Sequence, residues 1–165
     1  MSHSPVPKSI GVRVEPRAVH YAIVEGPRDR PLLLDDGRYA APKTYDEGEA
    51  LSWYRDRTHA LLSRHKPDCG GMKFMEPIDG RGKAPRASDS LRKRHRIEGV
   101  ILQLFHEIRI STLAGPFSTV ASSLHIRSAK DYLSRKDLRG IDWNTKTNYV
   151  KEAALAAVAA LPNTE

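Results

Sequence analysis

The sequence predicts an α/β domain built on a mixed sheet, and three observations lead there. Two β-branched runs separated by a tight turn open the chain as an antiparallel hairpin. Strand and helix patterns then alternate, as they do where later strands are parallel and are reached through crossover helices. An alanine-rich helical pattern closes the chain, suited to lying flat against a sheet.

The hairpin runs from Ser9 to Glu25. Ile10, Val12 and Val14 share one parity, Tyr21 to Val24 form the second apolar run, and Glu15-Pro16-Arg17 supplies the turn. A short third strand is expected over Pro31 to Asp35, ended by a turn at Asp36-Gly37 and by Pro42. Leu51, Tyr54, Leu61 and Leu62 fall near helical spacing within a first crossover helix from Glu47 to His65. Gly70 to Met75 reads as the fourth strand, ending at Glu76-Pro77.

The stretch from Pro77 onward holds Gly80, Gly82 and Pro85 and begins as a loop. Ile97, Val100, Ile101, Leu104, Phe105 and Ile108 then step by three and four. This predicts an amphipathic helix from Ser88 or Ser90 to Ile108. A short strand through Ile110 to Leu113 follows, then Gly115-Pro116, with Ser118 placed to cap a helix through Val120 and Leu124. A short helical piece from Ser128 or Lys130 to Arg135 precedes the last helix, Asp142 to Leu161, which carries Val150, Leu155, Val158 and Leu161 among its alanines.

A length of 165 residues with 39% apolar content suits one domain. The expected organisation is a flexible tail over residues 1–8, a domain over 9–161 with a basic loop at about 77–96, and a tail over 162–165. No stretch approaches the roughly 18 apolar residues of a membrane helix, and the first residues hold no apolar run suited to export. The reading is a cytoplasmic protein without a membrane partner. Cys69 is the single cysteine, which excludes an intramolecular disulfide and a thiolate zinc cluster, and reads as a small buried hydrophobe opening a strand. The histidines, among them His20, His59 and His65, show no spacing that suggests zinc.

Three local patterns resemble the RNase H-like superfamily on its RuvC side. Ser9-Ile10-Gly11-Val12-Arg13, continuing through Arg17 to Tyr21-Ala22-Ile23-Val24, is similar without gaps to the RuvC first-strand motif. Phe74-Met75-Glu76-Pro77 looks like the motif in which a strand ends on a catalytic glutamate. Pro116-Phe117-Ser118-Thr119-Val120 resembles a helix entry found late in such domains, and the alanine-rich end resembles their last helix. The resemblance implies an RNase H-like fold, a β-hairpin plus a third strand and then parallel strands, flanked by helices. It also implies nucleic acid as partner.

Active members hold two divalent cations on carboxylates from the first strand, the fourth strand and the last helix, Mg²⁺ being a hard ion that takes oxygen ligands. Arg13 stands where the first aspartate is expected, and a guanidinium is positive at any working pH and cannot bind Mg²⁺. The former metal-site position is thus basic, and Arg13 is expected to pair with Glu76. The catalytic candidates are Glu76, Glu15 and Glu152. Glu15 shares the Arg13 face of its strand about 7 Å further on. Glu152 is the nearest acid on the last helix, whereas Asn148 and Lys151 stand where an active family could place acids.

No metal or other cofactor is assigned; Mg²⁺ enters only if an active nuclease has relocated its carboxylates among Glu15, Glu76, Glu98, Asp142 and Glu152. Glu98 itself reads first as a solvated helix residue. Ser118-Thr119 reads as a cap before it reads as a phosphate site.

Most of the excess charge of the chain, +7 in all, lies in one segment: Arg81, Lys83, Arg86, Arg92, Lys93, Arg94 and Arg96 face only Asp79 and Asp89. Such a segment tracks a phosphate backbone without reading its bases, or serves as a solvated surface for an acidic protein. Three functions follow. The first is a catalytically degenerate RuvC-like domain that binds nucleic acid without cleaving it, a pseudo-nuclease. The second is an active Mg²⁺-dependent nuclease with relocated ligands. The third is a non-catalytic subunit that docks on a protein partner or on a second copy of itself.

Overall fold

The computed structural model describes residues 5–76 and 88–163. A five-stranded sheet in the order β3-β2-β1-β4-β5 is formed by β1 (Lys8–Glu15), β2 (Ala18–Glu25), β3 (Leu32–Tyr39), β4 (Cys69–Lys73) and β5 (Ser111–Gly115). The first three strands are antiparallel neighbours, while β4 runs parallel to both β1 and β5. This is the mixed α/β sheet expected from the sequence. Among the described residues, no helix is long and apolar enough to cross a membrane.

Strand alternation divides β1 between two cores. Ile10, Val12 and Val14 pack with Tyr54 and Leu62 of α1 (Glu47–His65) and with Ile97, Ile101, Leu104 and Phe105 of α2 (Asp89–Glu107). The other parity, Gly11 and Arg13, faces α4 (Asn148–Ala160). That second core also takes Val120, Ala121 and Leu124 from α3 (Phe117–Leu124), together with Trp143.

Two glycines and the alanine run set how closely α4 approaches. A Cβ on Gly11 would lie 1.7 Å from the carbonyl oxygen of Ala153, and one on Gly71 would lie 2.0 Å from that of Ala156. The helix backbone therefore rests directly on β1 and β4, a packing closed to any larger residue at either site.

The helix starts follow local hydrogen bonding. Asp46 and Glu49 form a reciprocal capping box at α1, and Ser88 accepts from the Leu91 amide at α2. Ser118 does not cap α3: the helix begins at Phe117 after Pro116. Cys69 opens β4 as a buried free thiol, pushed up in pKa by burial.

Several element boundaries differ from expectation; β5, for one, runs to Gly115 rather than ending at Leu113. β3 passes through Asp36-Gly37 to Tyr39, because the whole of β2 is available to pair with it; Gly37 sits opposite Tyr21, whose ring takes the space a Cβ would need. β4 ends at Lys73 rather than Met75, where the ladder to β1 and β5 stops. The last helix starts at Asn148, capped by Thr147, and not at Asp142. Asp142 belongs instead to a small hairpin, β6 (Asp137–Leu138) with β7 (Ile141–Asp142), turned by Arg139 and Gly140, both at positive φ.

Candidate functional site

The parallel strands β1, β4 and β5 end together on one side of the sheet, and α4 and α2 bring their N-terminal halves to that edge. In register across the β1–β4 ladder, Arg13 lies beside Lys73. Both project from the α4 face, since Gly11 and Gly71, two residues back on each strand, carry the helix. Lys73 is 1% exposed and Arg13 is 7% exposed, so two cations stand side by side in the interior.

Each finds compensation from a different element. Arg13 donates from Nε to the Glu152 carboxylate of α4 and from Nη1 to the Val14 carbonyl at 2.9 Å. Lys73 places its ammonium 2.7 Å from Glu76 and 3.8 Å from the centre of the Phe117 ring. Burial lowers the Lys73 pKa, opposed by its hydrogen bond to Glu76 and by the Glu152 charge. The expected Arg13–Glu76 pair does not form. Three residues of chain carry Glu76 past the end of β4, where it accepts the Phe117 amide at 2.8 Å and caps α3 from outside the helix. Burial would raise the Glu76 pKa, but the Lys73 hydrogen bond, the Phe117 amide and the Lys73 and Arg13 charges hold it below the usual carboxylate range.

A second layer surrounds Arg13. His20, its cross-strand partner on β2, is buried, meets the Glu15 carboxylate through Nε2 and stacks on Tyr149 at 4.8 Å between ring centroids. The Arg13 guanidinium lies 5.5 Å from the centroid of the same Tyr149 ring. Glu15 is further engaged by Arg38 at 3.7 Å.

From α2, Arg94 and Glu98 are both buried and lie close enough to feel the Arg13 charge. Glu98 therefore departs from the solvated helix position expected for it. One residue beyond the core residue Ile97, it is 4% exposed. One of its oxygens meets His95 Nδ1 at 3.1 Å; the other finds no partner among the described residues, as is true of Arg94 Nε and Nη1. Burial raises the Glu98 pKa, against the pull of His95, Arg94 and Arg13, and burial together with Arg13 lowers that of Arg94.

The remaining candidates lie apart. Asp142 is exposed on β7 and accepts the Asn144 amide at 3.2 Å. Lys151 turns away from the strand ends, donating to the Leu133 carbonyl at 2.9 Å. Of the basic segment, Arg81, Lys83 and Arg86 lie outside the described residues. Arg92 is exposed on α2, Lys93 pairs with Asp89 at 3.0 Å, and Arg96 pairs with Glu47 across to α1.

Sequence reasoning passed over Lys73, Tyr149 and the placement of His20, though each had a signal. The Pro16-Arg17 turn sets His20 opposite Arg13, Lys73 has the parity of Gly71, and Tyr149 precedes Glu152 by one helical turn.

A pair of divalent cations does not fit this arrangement. Two of the three element ends that would furnish carboxylates furnish a guanidinium and an ammonium, which have no lone pairs to offer. Among the described residues, no three His, Cys, Asp or Glu side chains are grouped so as to hold a metal ion.

No protein-family model and no curated protein matches the sequence. The fold does have close counterparts among solved structures. Thermus thermophilus RuvC in complex with a Holliday junction substrate superposes with a TM-score of 0.69 at 13% identity, covering 93% of this chain and 91% of that one. The yeast mitochondrial Holliday junction resolvase gives 0.62 at 14% identity, covering 94% of this chain and 79% of the other. The fowlpox virus resolvase, in complex with Holliday junction DNA, gives 0.51 at 13% identity over 92% and 95%. Sheet order, crossover helices and superposition agree that this chain has the RNase H-like fold in the form found in RuvC.

Proposed function

We propose that the protein is a catalytically degenerate RuvC-like domain that binds nucleic acid without cleaving it. The observation that carries this reading is the juxtaposition of Arg13 and Lys73 at the ends of β1 and β4, with Glu152 of α4 closed onto Arg13. In-line attack on a phosphodiester is helped by stabilising the attacking and leaving oxygens, which metal-dependent members do with ions held on carboxylates. Here protein cations occupy that place, and they are already committed to Glu152 and Glu76. Glu152 and Glu76, the carboxylates nearest the two strand ends, are held by these cations rather than turned to a metal or a water.

Binding is supported by the basic segment that precedes and opens α2. Arg92 and Arg96 are exposed on α2, and Arg81, Lys83 and Arg86 precede it in sequence. A segment of this charge on a fold whose solved counterparts include complexes with Holliday junction DNA favours a phosphate backbone as partner.

The test is binding of a four-way DNA junction, duplex DNA and an RNA/DNA hybrid across a salt series, with and without millimolar Mg²⁺ or Mn²⁺, and with products run on a denaturing gel. Binding that weakens steeply with salt, is indifferent to the divalent ion and leaves every strand intact is the expected result. Divalent-dependent cleavage that disappears in Glu76→Ala would establish the active nuclease with relocated carboxylates. Absence of salt-dependent binding would leave docking on a protein partner or a second copy.

A further inference from the structure

One cavity stands beside the charged centre and has no part in it. It measures about 690 Å³ and opens between the β1–β2 turn, the segment joining β3 to α1, and the facing sides of α1 and α2. Its lining is mixed, with Ala41, Ala50, Leu51, Tyr54 and Ile97 forming the apolar part. Around it stand four cations, Arg17, Arg38, Lys43 and Lys93. The two acids in the lining are both engaged, Asp46 in the cap of α1 and Glu47 with Arg96. Arg17 and Lys43, by contrast, are exposed and make no ion pair among the described residues. Tyr45, also in the lining, is 42% exposed and brings an aromatic side chain to the cavity.

We propose that this cavity receives one unpaired nucleotide of a bound nucleic acid, its base against Tyr45 and the apolar wall and its phosphate on Arg17 and Lys43. The inference rests on the nucleic-acid reading above and deepens it. Three observations support it together. A flat apolar body with an anionic tail is the ligand whose chemistry matches a partly apolar slot with two cations, Arg17 and Lys43, left without an acidic partner among the described residues, and pockets of this size suit ligands of that size. Stacking on an exposed aromatic ring is the usual way in which proteins hold an unstacked base without reading its sequence. Continuity with the charged centre comes from α2: Lys93 and Ile97 line the cavity, while their immediate neighbours Arg94 and Glu98 are buried and feel the Arg13 charge. The β1–β2 turn does the same, since Arg17 stands two residues beyond Glu15. A backbone crossing the strand ends would therefore reach the mouth of the cavity within a short span.

The experiment compares two DNAs of equal length, one fully paired and one carrying a single unpaired 2-aminopurine, by fluorescence anisotropy and by 2-aminopurine emission. Wild type is expected to bind the unpaired DNA more tightly, on the order of 10-fold, with a change in emission on binding. Ala50→Trp, which fills the cavity from α1, and Tyr45→Ala, which removes an exposed ring, are expected to abolish both the preference and the emission change while duplex binding persists. Circular dichroism and thermal melting of both variants establish that they are folded. Equal affinity of wild type for the two DNAs, or retention of the preference in Ala50→Trp and Tyr45→Ala, overturns the pocket and leaves the nucleic-acid reading standing. Failure to bind either DNA overturns that reading and the pocket with it.

Discussion

Arg13 of β1 and Glu152 of α4 are separated by 139 positions in sequence and form a largely buried ion pair, their side chains 8% and 13% exposed. Breaking such a pair from one side leaves a charge in a poorly solvated place. Glu152→Gln is expected to cost about 3 kcal/mol or more, and the joint replacement Arg13→Met with Glu152→Leu far less, because burial of two apolar groups offsets loss of the pair. Urea unfolding of the single and double variants measures this. Additive costs in the double-mutant cycle would show that the two side chains do not act as a pair.

Restoring carboxylates at the strand ends should restore a response to divalent cations. In Arg13→Asp/Lys73→Glu, acids from β1 and β4 would stand beside Glu152, so the variant is expected to melt lower than wild type in chelator through like-charge repulsion. Added Mg²⁺ or Mn²⁺ should then raise its Tm, the gain approaching about 2.7 kcal/mol at a hundredfold excess over Kd. Wild type should show no such shift. A wild-type Tm that climbs with Mg²⁺ would contradict the unsuitability of this centre for metal.

The buried Glu98 gives a pH dependence with a definite sign. Burial raises its folded-state pKa above the ordinary 4.5, so the folded state binds the proton more tightly than the unfolded chain. Its contribution to stability is present below that value and is lost as pH rises through the folded pKa. Glu98→Gln removes this loss, so the variant should gain on wild type as pH climbs from about 4.5 towards neutrality. Glu76, held below 4.5, works in the opposite sense: its contribution is present above the unfolded value and fades as pH falls. Glu76→Gln should therefore converge on wild type in acid. Urea midpoints across a pH series separate the two.

Close contact of α4 with the sheet makes Gly11 and Gly71 intolerant positions. Gly11→Ala and Gly71→Ala each force backbone apart where no flexible side chain can yield, and a loss of about 3 kcal/mol, the upper part of the usual range for overpacking, is expected for each. Lifting α4 also withdraws Glu152 from Arg13. Thermal melts read the first effect, and a reduced penalty for Glu152→Gln in the Gly11→Ala background reads the second.

Much of the fold was legible from local patterns. The alternation of Ile10, Val12 and Val14, the stepping of Ile97 to Ile108, and the Pro16-Arg17 turn are short-range signals, and the elements they predict are present. The hairpin also set the register that places His20 against Arg13. Boundaries fared worse where a neighbouring strand overrode a turn signal, as at Asp36-Gly37. The small β6–β7 hairpin was missed because two-residue strands leave no period to detect.

By itself the sequence determined that a guanidinium stands at the end of the first strand, that positive charge gathers before and along α2, and that an alanine-rich helix can lie on the sheet. Only the tertiary structure decided the partners. Lys73, not Glu76, neighbours Arg13, because the parallel ladder of β1 and β4 ends there. Glu152 reaches Arg13 because α4 rests on Gly11 and Gly71. Glu76 reaches the start of α3 because the chain leaves the sheet after Lys73, and Glu98 is buried once α2 packs on the core. Each of these depends on contacts between residues far apart in the chain, whose energies exist only once the layers have packed, so no local period or propensity encodes them.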